Sequence, residues 1–315
     1  MPLSTCLVID EMHPTLKALL RAEGVQMDYE PDLLPAEVPA ALAEKPYQGL
    51  VVRSKVRVTA ELLRHGRHLR YVARAGAGID NIDMAALTAA GVQLVNAPEG
   101  NAQAVGEFTV GLLLALLRQV AAADAEVRRG QWQREANRGY ELSARTVGIL
   151  GAGHMGRSLA RCLRGFGCQV LGHDHDPAVP APDYLPLVSL GELQERADVL
   201  SIHIPYSPEN HQFVNEELLS GFRQPLWLLN TARGEVLDHA ALLRALGSGQ
   251  VRGAALDVLD NERLTALKPE QQARFEALRA APNVVLTPHV AGWTHESYRR
   301  INEVLASKIG ALLRG

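Results

Sequence analysis

Three segments of this chain carry side chains whose types complement one another. An arginine lies in Asn230-Thr231-Ala232-Arg233-Gly234. Carboxylates crowd Asp257-Val258-Leu259-Asp260-Asn261-Glu262, and a histidine sits in Thr287-Pro288-His289-Val290-Ala291-Gly292-Trp293. Each segment follows a short apolar run of strand character, which predicts these groups at the carboxyl edge of a sheet, where open α/β folds bind ligands. An arginine there can grip a carboxylate through two parallel N–H donors. A histidine can carry a proton, and a nearby carboxylate favours its charged form. Together the three suit hydride transfer between a nicotinamide and a 2-hydroxy or 2-keto acid. Taken singly, each has an ordinary explanation as a surface ion pair, a structural loop residue or a solvated acid.

Residues 146–174 shift that balance. The apolar run Thr146 to Leu150 enters Gly151-Ala152-Gly153-His154-Met155-Gly156, and an amphipathic stretch continues to about Phe166. A second apolar run, Cys168 to Leu171, leads to Asp174, eighteen residues after Gly156. Gly151 permits a tight strand-to-helix turn, Gly153 lets a pyrophosphate approach the backbone, and Gly156 allows close helix–strand packing. The helix N-terminus offers free N–H groups and partial positive charge. Asp174 can accept from ribose hydroxyls and would repel a 2′-phosphate, so NAD is expected rather than NADP. A further loop, Arg74-Ala75-Gly76-Ala77-Gly78-Ile79-Asp80-Asn81, follows a strand and can turn the amides of Gly76, Ala77 and Gly78 toward an anion.

Alternating elements must position these residues. Strands are predicted at 6–9, 26–29, 49–53, 71–73 and 92–95, with helices around 15–22, 59–64 and 83–90. Residues from Ala102 to about Arg129 read as one continuous helix, apolar nearly all round in its middle and so buried at a domain junction or subunit contact. After the glycine motif, strands are predicted near 199–202, 226–229, 253–256 and 284–286. Helices near 189–195, 215–221 and 239–247 separate them, and a last helix covers about 294–313. Such alternation implies an α/β fold with two Rossmann-like or flavodoxin-like parallel sheets and a cleft between them. Asn96-Ala97-Pro98 and Thr287-Pro288 read as hinges.

Composition excludes several classes. The 315 residues are 47% hydrophobic and 21% charged, with net charge −3, which offers nucleic acid no basic surface. Cys6, Cys162 and Cys168 form no metal-type spacing, so no metal is expected and a reduced, cytoplasmic setting is. MPLSTCLVIDE has no basic segment before its apolar run and reads as a first strand rather than a signal peptide. The longest apolar stretch, Val110 to Leu117, is too short to cross a membrane.

The ordered motifs resemble those of the D-isomer-specific 2-hydroxyacid dehydrogenases over nearly the whole chain. They are VVRS at 51–54, RAGAGIDNID at 74–83, NAPEGNAQAVGE at 96–107, GILGAGHMG at 148–156, LLNTARGEVLD at 228–238, AALDV at 254–258 and LTPHVAG at 286–292. The resemblance implies Arg233, Glu262 and His289 as the catalytic set, and two α/β domains: a discontinuous substrate domain built from both chain ends, 1–97 plus 288–315, and an NAD domain, 98–287, inserted between. Arg263 follows Glu262 where the family usually has proline. Spacing from Asp257 still selects Glu262, with Asp260 as the alternative acid. The resemblance further implies NAD against His154 and Met155 at the pyrophosphate, Asp174 at the ribose, Ile204 near the adenine, Thr231 and Ala232, Asp257 at the carboxamide, and Gly292.

Within the family the motifs are most similar to those of the D-3-phosphoglycerate dehydrogenases, enzymes of serine synthesis. That likeness implies substrate contacts from Arg53, Ser54, Arg74, the amides of 76–78 and Asn101. The alternative is a glyoxylate or hydroxypyruvate reductase, whose substrate lacks phosphate. A reading of another class is a non-catalytic NAD-sensing co-repressor, against which the intact catalytic set argues. The apolar helix from Ala102, together with the dimers through the dinucleotide domains that the resemblance implies, predicts a homodimer in which Trp132 and the arginines near it reach the partner's cleft. No regulatory module is expected after the closing helix.

Overall fold

The computed structural model describes residues 4–315. The chain forms two compact units, one comprising the residues up to Asn101 together with Trp293–Gly315, the other Ala102–Gly292. The junctions therefore fall at 101/102 and 292/293 rather than at 97/98 and 287/288, which puts His289 in the central unit.

In the first unit β1 (Ser4–Val8), α1 (Thr15–Ala22), β2 (Val25–Tyr29), α2 (Val38–Glu44), β3 (Gly49–Val52), α3 (Ala60–His65), β4 (Tyr71–Arg74), α4 (Met84–Ala90) and β5 (Gln93–Asn96) follow in order. The strands are parallel in the order β2-β1-β3-β4-β5. Local chemistry sets the helix ends. The Thr59 hydroxyl accepts from Leu62 N–H at the start of α3, and Asp83 accepts from Ala86 N–H at the start of α4. Gly91, at φ 66°, closes α4 in a left-handed turn. The sequence reading missed α2, whose only buried residues are Val38 and Leu42, too few for a periodic signal.

The expected continuous helix is two helices, α5 (Pro98–Leu117) and α6 (Val120–Arg128), with Gln119 between them at φ 53°. Propensity along 102–129 favours continuation, but a distant segment intervenes. The Tyr140 N–H donates to the Leu117 carbonyl (3.0 Å), and a Cβ on Gly139 would lie 2.5 Å from that oxygen. A tertiary hydrogen bond thus takes a carbonyl of the last turn. The 20 residues of α5 are long and apolar enough to cross a membrane, yet 61% of its most apolar window is buried. Val110, Leu112, Leu113, Leu116 and Leu117 pack with Val147, Ile149 and Leu229, as in a core helix.

The second unit continues with β6 (Thr146–Leu150), α7 (His154–Leu163), β7 (Gln169–His173), α8 (Leu190–Arg196), β8 (Val199–Ile202), α9 (Glu216–Ser220), β9 (Leu226–Asn230), α10 (His239–Ser248), β10 (Val251–Leu256), α11 (Pro269–Ala280) and β11 (Val284–Leu286). The sequence reading also missed α11, which buries only Leu278. The parallel sheet runs β11-β10-β9-β8-β6-β7. Leu187 adds a single bridge to Gly172 beyond β7, a strand reduced to one pairing. The order therefore reverses between β6 and β8, the switch point where such sheets bind ligands. The carboxyl ends lie level: Leu150 pairs with both His173 and Ile202, and Asn230 with both Ile202 and Leu256. The final helix, α12 (His295–Arg314), returns to the first unit, where Ile301, Leu305 and Ile309 pack with Leu16 and Leu20 at four-residue spacing.

Candidate active site

The level strand ends set Gly151, Asp174, His203, Thr231 and Asp257 along one edge of the second sheet. Gly151 adopts φ +99°, and a Cβ there would meet His203 backbone atoms at 2.8 Å. A Cβ on Gly156 would lie 2.1 Å from the Gly151 carbonyl oxygen, so helix and loop touch backbone to backbone. Around Gly153 the reverse holds, since a Cβ would meet nothing within 4 Å. Gly153 is also the N-cap of α7, and no side chain caps that helix. Open space in front of uncapped helix N–H groups fits a pyrophosphate. Asp174 accepts the Ala152 N–H (2.7 Å) and the Asp176 N–H (3.1 Å), which ties the carboxylate at the end of β7 to the glycine loop. These features fit NAD. Ile204 is buried just beyond β8.

Three strand ends carry the arginine, the acids and the histidine that the sequence singles out. After β9, the buried Asn230 builds the arginine turn: its Oδ1 accepts Ala232 N–H (3.0 Å) and its Nδ2 donates to Arg233 O (2.9 Å). Thr109 donates to Val105 O (2.7 Å), so its oxygen, 3.1 Å from that of Thr231, accepts the Thr231 hydroxyl proton and ties the turn to α5. A Cβ on Gly234 would lie 1.9 Å from the Leu259 carbonyl carbon. The arginine turn therefore lies directly against the acidic loop. In that loop Glu262 and Asp260 have different partners. His289 Nδ1 is 2.9 and 3.0 Å from the two Glu262 oxygens, whereas Asp260 pairs with Arg274 of α11 at 2.9 Å. The structure thus sets Glu262 against the histidine and Asp260 away from it. The side chains of His289 and Glu262 keep 44% and 47% exposure, and Glu262 meets the ring at Nδ1 rather than Nε2.

His289 occupies the left-handed region at φ 56°. Strain of that kind costs about 1–3 kcal/mol unless the surroundings impose it. Asp257, 1% exposed, imposes it. Its Oδ1 accepts from the Thr287 hydroxyl (2.6 Å) and Val290 N–H (3.0 Å), and its Oδ2 from Ala291 N–H (2.8 Å). Its main-chain carbonyl accepts the His289 N–H at 2.8 Å. Hydrogen bonds to a charged group contribute about 1.5–3 kcal/mol each, so three outweigh the strain. Asp257 therefore anchors the histidine loop, and only one lone-pair direction, on Oδ2, is left for a carboxamide. Neither Asn230 nor this anchoring role was legible in the sequence, although both residues end apolar runs.

The first unit holds the other charged groups. Val52 pairs with Arg74, which places Arg53 and Arg74 at adjacent strand ends. The Arg53 N–H is held by Asp10 (2.7 Å), and its guanidinium lies over Trp293 and Tyr298, at 4.5 and 5.4 Å from the ring centroids. Arg74 folds over the next turn: its Nη1 donates to Ala75 O (3.3 Å) and would lie 1.8 Å from a Cβ on Gly76. The Gly76 N–H is already donated to Arg74 O (2.9 Å). The expected three-amide anion cradle is therefore reduced to Ala77 and Gly78. Ser54 is exposed beside Arg53, and the buried Asn101 Oδ1 has no hydrogen-bond partner among the described residues.

Residues 110–291 match the model of the D-isomer specific 2-hydroxyacid dehydrogenase, NAD binding domain. D-3-phosphoglycerate dehydrogenase of Homo sapiens is 34% identical over 311 residues, 98% of this chain and 56% of that protein. The chain thus spans about half the length of the curated relatives it matches. A D-lactate dehydrogenase from Aquifex aeolicus, solved with NAD and lactic acid, is 26% identical with a TM-score of 0.82, over 99% of this chain and 96% of that one. A glyoxylate reductase from Paecilomyes thermophila is 26% identical with a TM-score of 0.85, again over 99% and 96%.

Proposed function

Since the chain belongs to the D-isomer specific 2-hydroxyacid dehydrogenases, NAD-dependent oxidoreductases of two parallel-sheet α/β domains, we propose that it interconverts D-3-phosphoglycerate and 3-phosphohydroxypyruvate, the opening step of serine synthesis. The observation that carries this reading is the pair Arg53 and Arg74 at neighbouring strand ends of the first unit. A doubly anionic three-carbon acid needs more cationic contacts than Arg233 alone provides. The likeness to D-3-phosphoglycerate dehydrogenase over 98% of the chain supports it.

Bound NAD supplies the hydride acceptor. Arg233 holds the substrate carboxylate through its guanidinium edge. In the oxidising direction the His289 Nε2 takes the hydroxyl proton as hydride leaves the adjacent carbon, and in reduction the same nitrogen returns it to the carbonyl oxygen. Glu262, on Nδ1, fixes the orientation of the ring. The Ala77 and Gly78 amides contribute to the anion site.

The second reading is a glyoxylate or hydroxypyruvate reductase. The aromatic setting of Arg53 and the fold neighbours favour it. Wild-type kcat/KM on 3-phosphoglycerate against D-glycerate, and on phosphohydroxypyruvate against hydroxypyruvate and glyoxylate, tests the choice. Preference for unphosphorylated acids would hand the assignment to the reductase. NADH binding without turnover of any of them would favour a sensor. NADP used as well as NAD would overturn the role given to Asp174.

The assembly we propose is a homodimer in the cytoplasm. Helix α6 buries none of its own residues, and Val120 and Val127 are about half exposed. A groove of about 870 Å³ beside it is lined by Ala121, Ala125, Val251, Pro282 and Val284. A second copy would cover both. The free thiols of all three cysteines suit a reducing compartment. A monomeric mass in light scattering at micromolar concentration would overturn the dimer.

A further inference from the structure

Helix α12 begins with two devices that act together. Thr294 accepts the Ser297 N–H (3.0 Å) while the Ser297 hydroxyl accepts the Thr294 N–H (3.0 Å), a reciprocal cap. The residue before the cap, Trp293, then packs on Tyr298 of the next turn, ring centroids 5.3 Å apart. Such a staple fixes the angle at which a chain enters a helix. Here it does more, because the Arg53 guanidinium lies over both rings, 4.5 Å from one centroid and 5.4 Å from the other. His13 meets Tyr298 edge-on at 5.5 Å and backs the cluster.

A helix staple needs only two apolar side chains. An arginine across it is not part of that device, and this one is held elsewhere too. Asp10 holds its N–H (2.7 Å), Asn81 donates to its carbonyl oxygen (3.1 Å), and Nη1 reaches Glu11 O at 3.4 Å. A guanidinium covered on its face by aromatic rings retains its donors at the edge, the geometry that grips a planar or tetrahedral oxyanion bidentately. Trp293 remains 53% exposed, so the arrangement is open to solvent and not part of the core.

We propose that Trp293 and Tyr298 are positioning residues that hold Arg53 as an oxyanion receptor, and that the entry of α12 thereby sets the affinity for the substrate's anionic group. The inference rests on the reading of Arg53 as a substrate contact. Trp293→Ala should raise KM for the preferred hydroxy acid about tenfold, with kcat and NADH affinity within about twofold of wild type. Trp293→Phe, which keeps a ring, should recover most of the loss. Arg53→Ala should raise KM by at least as much, and the double substitution Arg53→Ala with Trp293→Ala should be no worse than Arg53→Ala alone, since the ring acts only through the guanidinium. Thermal midpoints identify a purely structural role, in which losses would add and follow stability.

If Arg53→Ala raises KM and Trp293→Ala does not, or if the two effects multiply, the positioning role is overturned and the substrate reading survives. If Arg53→Ala leaves KM unchanged for every acid turned over, both fall. If wild type prefers an unphosphorylated acid, the substrate reading falls and the positioning role is judged on that acid by the same cycle.

Discussion

Alanine placed at three glycines of one loop should separate folding from cofactor binding. At Gly156 the added methyl carbon lies 2.1 Å from the Gly151 carbonyl oxygen and 2.9 Å from Ile149 Cγ2. The nearer atom is backbone, so helix α7 must move off the strand, and overpacking of this kind costs about 1–3 kcal/mol. At Gly151 the methyl meets backbone at 2.8 Å and the residue must hold φ +99° as well. That strain adds about 1–3 kcal/mol. For a unit of this size each kcal/mol moves the thermal midpoint by about 2–4 °C. Gly156→Ala should therefore lose about 2–12 °C, and Gly151→Ala more. Gly153 differs on both counts: its φ of −70° and ψ of −160° suit any residue, and the methyl meets nothing within 4 Å. Gly153→Ala should keep the midpoint or raise it slightly, because the unfolded chain loses freedom. Its methyl then stands in the space assigned to the pyrophosphate, and NADH affinity should fall at least tenfold, about 1.4 kcal/mol. Thermal melts without cofactor and NADH fluorescence titrations on the three variants measure both quantities. A Gly153→Ala protein that melts as early as Gly156→Ala, or one that binds NADH like wild type, refutes the reasoning.

Other outcomes follow from the loop geometry. Asp257→Asn turns an amide donor toward one of the N–H groups the carboxylate now accepts, so kcat should fall about 100-fold or more as His289 leaves its left-handed conformation; activity within threefold of wild type would refute the anchoring role. Glu262→Gln should lower kcat/KM about 10- to 100-fold and Asp260→Asn less than about threefold, because Arg274 already engages Asp260; the reverse order in steady-state assays would reassign the acid. Burial holds the His203 imidazole at about 4. The unfolded chain takes up that proton below its ordinary value of about 6.5, so stability present above this pH is lost as pH falls toward 4, by about 3 kcal/mol for this group. Urea midpoints of His203→Gln should decline less steeply than those of wild type between pH 7 and 4, and parallel declines would count against it.

The alternation of apolar runs with 3.6-residue periodicity determined the parallel α/β architecture, because each pattern can bury its apolar face in only one local conformation. The glycine motif and Asp174 were legible for a related reason. Their spacing encodes a turn, a helix start and the next strand end, all settled within some thirty residues. What lay beyond such local rules needed the folded chain. Two acids follow β10 two positions apart, and spacing alone could not divide their roles. Arg274, on a helix without a strong apolar pattern, draws Asp260 away and leaves Glu262 to His289. The long helix breaks at Gln119 because the Tyr140 N–H arrives at the Leu117 carbonyl, which propensity along the helix does not register. Gly76 is legible as a flexible turn residue, but whether its N–H faces a ligand or the chain is decided by its bond to the Arg74 carbonyl. The setting of Arg53 depends on residues 240 positions away, at the entry to α12. Sequence specifies which groups reach the carboxyl edge of a sheet. Which of them remain available there depends on long-range partners that only tertiary packing brings together.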